Sequence, residues 1–266
     1  MIRYLSLFSG IGAFEKALDN LGIPYELLAY CEVDKYASKA YSLLHHVPEN
    51  MNLGDITKVD EKALPTDIDL LTYGFPCQDI SIAGNKRGFV NEDGTKTRSG
   101  LFFDALRIIE HCKPKVAIAE NVKNLTSKSM SSIFSIVLES LDNAGYNCYW
   151  QVLNSADYGV PQGRESIEGL APTLKTVSGG GREVKVLTNG RYRKLTPKEY
   201  FRLMGFSDSD YELLAMNGIS KTQIYKMAGN SIVVTVLEHL FKQIYTPGTQ
   251  SIDSLKKKSL DILNTL

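Results

Sequence analysis

The sequence predicts a doubly wound α/β fold on a mostly parallel sheet, and three observations predict it. Short apolar runs alternate with segments of helical periodicity through the first 150 residues. The runs are too short for helices and are bounded by polar, Gly or Pro positions, as buried strands are. Strand–helix alternation at this rhythm favours parallel pairing, because each helix carries the chain back to start the next strand in the same direction.

In chain order, Tyr4–Phe8, Leu27–Cys31, Ile68–Tyr73 and Lys115–Ala119 read as strands. Ala13–Leu21, Lys35–Leu44, Leu101–His111 and Ser132–Ala144 read as the helices between and after them. The last shows one wide apolar face (Ile133, Phe134, Ile136, Val137, Leu141) and closes at Gly145. Tyr146–Leu153 reads as a fifth strand. After about Tyr158 the rhythm fails, and the glycine-rich stretch 159–190 reads as irregular. Thr196 and Pro197 then mark a helix start, by cap and by fixed φ, for Pro197–Met204. A last apolar helix is expected from about Ser231 to Tyr245, with Asn230 at its start, folding back on the first domain. The residues beyond Pro247 form a polar tail.

Composition narrows the function classes. With 266 residues, 43% hydrophobic and 23% charged, the chain matches ordinary globular usage and excludes disorder. No apolar run approaches the roughly 18–20 residues of a membrane span. The N-terminus carries its first acid, Glu15, too early for a secretory leader. Cys31, Cys77, Cys112 and Cys148 stand apart, without paired Cys/His spacing, so neither a disulfide framework nor a metal site is expected. A reducing cytoplasm is the expected location. Thirty basic residues balance thirty acidic ones, so net charge makes no case for nucleic acid. A local patch does: residues 182–202 hold seven basic against two acidic side chains.

The first motif is Phe8-Ser9-Gly10-Ile11-Gly12, where a strand ends and a helix begins. Glycines there allow a tight turn and a close backbone approach to a ligand, or they serve the turn alone. Glu32, about 20 residues on at the next strand end, can accept hydrogen bonds from ribose hydroxyls. A dinucleotide fingerprint would carry a third glycine where Glu15 stands, and an acid opposes a pyrophosphate. An adenosine cofactor without phosphates fits better, and S-adenosylmethionine is the commonest. Asp55, in Leu53-Gly54-Asp55-Ile56, can accept from the adenine amino group or simply cap a turn.

The second motif carries chemistry. Thr72-Tyr73-Gly74-Phe75-Pro76-Cys77-Gln78 follows a buried strand, at the carboxyl edge where α/β sheets hold ligands. A cysteine after proline sits on a rigid turn, whereas Cys31, Cys112 and Cys148 read as small buried hydrophobes. Glu120, 43 residues later, ends another strand on the same edge. A carboxyl there is partly desolvated and can donate a proton. A nucleophilic thiol, a proton donor and a methyl donor together meet the needs of methylation at an unactivated pyrimidine carbon.

In these motifs, their order and their spacing the sequence resembles the DNA (cytosine-5)-methyltransferases of the bacterial restriction-modification type. The resemblance rests on FSGIG, Glu32-Val33-Asp34, Gly54-Asp55-Ile56, GFPCQ, RSGLFFDALRII and AENV, and continues through NSADYGVPQGR, APTL, RKLTPKEYFRLMGF and AGNSIVVTVL to about residue 245. It implies a Rossmann-like, S-adenosylmethionine-dependent methyltransferase fold. It implies that Cys77 attacks cytosine C6, that Glu120 holds N3 and the exocyclic amine, and that Arg164 is the first arginine of a catalytic pair. Phe8, Gly10, Gly12, Glu32, Asp55, Pro76, Leu101 and Asn230 would line the site for S-adenosylmethionine and its product S-adenosylhomocysteine. Gln78, Ser81, Lys86, Arg87 and Arg98 would contact double-stranded DNA from a loop that closes on a flipped base. A monomer acting on DNA in the bacterial cytoplasm is implied.

The chain departs from the family's pattern in one place. Ser166 stands where a second arginine is expected, and Ser166–Leu170 leads directly into Ala171-Pro172-Thr173-Leu174, which in the family follows a target-recognition domain. The expected organisation is therefore a core over 1–165, a shortened recognition remnant over 166–195, helices completing the core over 196–245, and the tail over 246–266. Two functions stay open at this point. One is an active DNA methyltransferase, with a recognition domain supplied separately. The other is a cofactor-binding core that is inactive or non-specific on DNA.

Overall fold

A computed structural model of the chain describes residues 1–76, 97–160, 162–163, 171–172, 185–188 and 191–245. The first half alternates as expected: β1 (Ile2–Leu7), α1 (Ala13–Asn20), β2 (Tyr25–Cys31), α2 (Lys35–His45), β3 (Leu70–Tyr73), α3 (Phe102–Cys112), β4 (Val116–Ala119) and α4 (Ser131–Asn143). The four strands form one sheet in the order β2-β1-β3-β4, and every neighbouring pair is parallel. The chain winds outward from β1 in both directions, so the topological switch point lies between β1 and β3.

Packing divides the chain into two compact units. The first comprises Met1–Ser9, Tyr25–Val33 and Asn50–Val152, and holds the sheet with α3 and α4. Its core joins Leu5, Leu7, Leu71, Tyr73 and Phe75 to Phe102, Ile108 and Ile109 of α3 and Val137 of α4. Both faces of β1 and β3 are buried, which is why these strands read as unbroken apolar runs rather than alternating ones. Two of the polar side chains buried there satisfy one another: the Tyr4 and Thr72 hydroxyls meet at 2.6 Å.

The second unit comprises Gly10–Pro24, Asp34–Glu49 and Leu153–Leu266. After α2 it continues with two short ladders, parallel β5 (Gln162–Gly163) with β6 (Ala171–Pro172) and antiparallel β7 (Lys185–Thr188) with β8 (Arg191–Lys194). Among the described residues four helices follow: α5 (Pro197–Leu203), α6 (Asp208–Met216), α7 (Lys221–Asn230) and α8 (Val234–Tyr245). The last helix does pack on the helix after the glycine turn. Phe14 of α1 meets Phe241 of α8 edge-on at 6.2 Å, and Asn20 Nδ2 donates to Glu238 Oε1 at 2.7 Å.

Three expectations need correction. Residues 146–153, expected as a fifth strand, contain none. Among the described residues no strand lies on the outer side of β4, so this segment lacks a ladder to join, and isolated extended chain is not stable alone. Tyr149, Trp150, Val152 and Leu153 are accordingly exposed, with Trp150 anchored by an edge-on contact to Phe134 at 5.1 Å. Cys148 lies in this segment and is exposed, unlike the buried Cys31 and Cys112. Asn230 ends α7 instead of starting the last helix, which begins at Val234. Among the described residues no helix is long and apolar enough to cross a membrane.

Candidate active site

Register levels the strand ends. Leu7 pairs with both Cys31 and Tyr73, and Tyr73 pairs with Ala119, so the next residues stand side by side at the carboxyl edge. Those residues are Phe8, Glu32, Gly74 and Glu120. Four motifs far apart in sequence thus converge within the first unit, for the reason that parallel strands end together.

Phe8 adopts φ +52°, a left-handed conformation that costs a bulky residue about 1–3 kcal/mol and clusters at ligand sites. The neighbouring turn is tied to β2: Ser9 N donates to Cys31 O at 3.0 Å, and Cys31 N donates to Ser9 Oγ at 3.3 Å. Glu32 is half-buried, and its backbone is held by Asn52. Asp55 accepts from Thr57 N at 3.0 Å and Thr57 Oγ1 at 2.8 Å, so it serves as a turn cap. The Thr57 hydroxyl bond, aided by Lys58, holds its carboxyl below the usual range, leaving an ionised acceptor. The segment after Asp55 is clamped to α3 by Arg107, which donates to Ile56 O at 2.6 Å and Val59 O at 2.7 Å and pairs with Glu61. Leu101 precedes α3 and packs on the same core.

The chemistry-bearing strands β3 and β4 are adjacent, and their ends are bound together. Glu120 N donates to Tyr73 O at 2.9 Å. Asn121 Nδ2 donates to Phe75 O at 3.0 Å, fixing the turn that carries Pro76. A Cβ built on Gly74 would stand 3.5 Å from Glu120 Oε2, so the carboxyl lies directly over this turn. Desolvation raises the Glu120 carboxyl to about 6. Cys31 and Cys112 are pushed to about 12 and about 11, chiefly by burial, which keeps both thiols protonated and unreactive. Cys77, Gln78, Ser81, Lys86, Arg87 and Arg164 lie outside the described residues, as does the side chain of Arg98.

In the second unit, Gly10 and Gly12 have φ of +57° and +79°. A Cβ on Gly12 would overlap the His45 imidazole, whose Nε2 stands 3.0 Å from Ile11 O. Glu15 turns inward, fully buried, and accepts from Tyr41 Oη at 2.8 Å. Glu15 stands in the first turn of α1. The basic patch is weaker than its composition suggests. Arg193 is forked onto Glu199, Arg202 onto Asp208, and Lys198 reaches Asp208 and Glu212. Sequence reasoning also gave no role to Asn52 or to Asn121, although Asn121 lies within the AENV motif; an asparagine beside a strand end is the only local trace of Asn52.

A family model described as C-5 cytosine-specific DNA methylase matches residues 2–170 and 167–246. The chain belongs to this family. An orphan methyltransferase of Bacillus phage SPR is 43% identical over 166 residues, which are 62% of this chain and 36% of the phage protein. The chain thus spans about a third of that relative's length. The type II methyltransferase M.HhaI of Haemophilus parahaemolyticus is 31% identical over 320 residues, covering 90% of this chain and 93% of that one. An alignment of 320 residues exceeds the chain's 266, so that methyltransferase carries residues with no counterpart here. Among solved structures, the Dnmt2 methyltransferase of S. pombe superposes with a TM-score of 0.72 at 19% identity, over 93% of this chain and 99% of the other. That likeness establishes the Rossmann-like methyltransferase fold.

Proposed function

We propose that this chain transfers a methyl group from S-adenosylmethionine to C5 of cytosine in double-stranded DNA, through a covalent bond between Cys77 and C6 of a flipped base. The observation that carries the reading is the binding together of the β3 and β4 ends, with the Glu120 carboxyl over the turn that leads to Cys77.

The donor set suits the cofactor. Glu32 would accept from the ribose hydroxyls and Asp55 from the adenine amino group, with Phe8, Pro76 and Leu101 offering apolar surface. Gly10, Gly12 and Asn230 belong to the same proposed set. When bound, S-adenosylmethionine supplies an electrophilic sulfonium methyl. The chain's own residues prepare the base for it. The Cys77 thiolate adds to C6 while Glu120 delivers a proton to N3, which moves electron density onto C5. With a carboxyl near 6, roughly a tenth of Glu120 is protonated at pH 7, and the base's own N3 strengthens that fraction by sharing the proton. After methylation a base removes the C5 proton, the Cys77–C6 bond breaks, and N3 returns its proton to Glu120. Arg164 would face the base, and Gln78, Ser81, Lys86, Arg87 and Arg98 the opened duplex.

The test is a trap. DNA carrying 5-fluorocytosine cannot lose a proton from C5, so the methylated adduct should persist on a denaturing gel. Cys77→Ser should abolish it, while substitutions of Cys31, Cys112 and Cys148 should leave it. An adduct that survives in Cys77→Ser removes the assignment.

A further inference from the structure

Asn52 is joined to both ends of the proposed adenosine site, although no motif contains it. Its backbone forms a one-residue parallel bridge with Tyr30, beside the last turn of β2, and Leu53 N donates to Tyr30 O at 2.7 Å. The chain then leaves the sheet at Gly54, where φ is +73°. From that point the Asn52 side chain takes over from the backbone ladder. Its Oδ1 accepts from Glu32 N at 3.0 Å, and its Nδ2 donates to Glu32 O at 2.9 Å. The same Oδ1 accepts from Gly54 N at 2.9 Å, one residue before Asp55. A second tie runs alongside, from the Cys31 thiol to Gly54 O at 3.0 Å, and the raised Cys31 pKa keeps its proton in place to donate.

We infer that Asn52 is a positioning residue that sets the spacing between Glu32 and Asp55, and so presents the ribose and adenine acceptors at the separation of one adenosine. The inference rests on the adenosylmethionine reading above. Its physical basis is that the two carboxylates stand on separate segments, and the Asn52 side chain bonds the backbone of both. Glu32 follows the last residue of β2, and Asp55 follows a glycine in the left-handed region. One amide with three hydrogen bonds fixes both backbones at once. An aspartate at 52 would keep the two acceptor bonds, lose the bond to Glu32 O, and add a charge beside two carboxylates. An aliphatic residue would lose all three bonds.

A double-mutant cycle tests this, with adenosylmethionine affinity read by calorimetry on the full chain. Glu32→Ala and Asn52→Ala should each weaken binding at least tenfold, and the double variant should bind no worse than about the weaker single. Asn52→Asp should fall between the wild type and Asn52→Ala. A double variant whose loss is the product of the two single losses would sink the inference, because two independent effects multiply. Amide hydrogen exchange separates this from the parent reading. Faster exchange at Glu32 and Gly54 in Asn52→Ala is expected whether or not cofactor binds, and unchanged exchange there overturns the clamp. Absence of any adenosylmethionine affinity in the wild type overturns the functional reading instead.

Discussion

Replacing Glu120 by glutamine should stabilise the fold above about pH 6 while abolishing methyl transfer. The carboxyl titrates near 4.5 in an unfolded chain and near 6 in the folded one, raised by desolvation. Between those values the folded state binds more protons than the unfolded state, so stability falls as pH rises from about 4.5 through about 6. Above that range the full cost of an ionised Glu120 remains. The rise from about 4.5 to about 6, at 1.36 kcal/mol for each tenfold change in proton affinity, corresponds to about 2 kcal/mol as an upper figure, and the partial exposure of the side chain lowers it toward about 1 kcal/mol. Glutamine has nearly the same shape and no charge, so its stability should not vary through this window on account of position 120. Urea unfolding of both proteins at intervals from about pH 4 to about pH 8 measures the difference directly. Near pH 4 the two should differ only by a constant, and by about pH 7.5 the variant should have gained roughly 1–2 kcal/mol. A difference that stays flat across this range would refute the desolvation argument, and with it the reason for assigning the proton to Glu120.

Two further outcomes follow from the same geometry. Gly12→Ala should cost roughly 2–4 kcal/mol in denaturant unfolding, since φ is +79° and the new methyl overlaps the His45 ring; a loss below about 0.5 kcal/mol would mean the turn relaxes freely. With Arg193, Lys198 and Arg202 occupied by ion pairs and Ser166 in place of an arginine, methylation by this chain should run at least ~100-fold below M.HhaI, with little sequence preference and a steep loss with salt. Rapid turnover confined to one short motif in random DNA would place specificity determinants within residues 159–195 and contradict this.

The strands β1 to β4 and the helices α1 to α5 could be read from the sequence to within a few residues, because burial on both faces or along one stripe leaves a pattern in local composition. Helices α6 and α7 left much less. Asp210 and Leu214 alone are buried in α6, so its apolar stripe is too thin to show as periodicity. The fifth strand failed for the opposite reason. Tyr146–Leu153 has the composition of a strand, but composition does not supply a neighbour.

The sequence by itself determined the family, the fold class and the identities of the residues that carry the proposed chemistry, since motifs of this order are written in contiguous residues. Only the tertiary structure decided how those residues are aligned. The common register of β1, β2, β3 and β4 brings Phe8, Glu32, Gly74 and Glu120 level. Asn121 and Asn52 acquire their roles from carbonyls and amides 46 and 20 residues away. The ion pairs that occupy the basic patch likewise became visible only with the helices folded. Hydrogen bonds and desolvation depend on what surrounds a group in space, and a sequence records only what surrounds it along the chain.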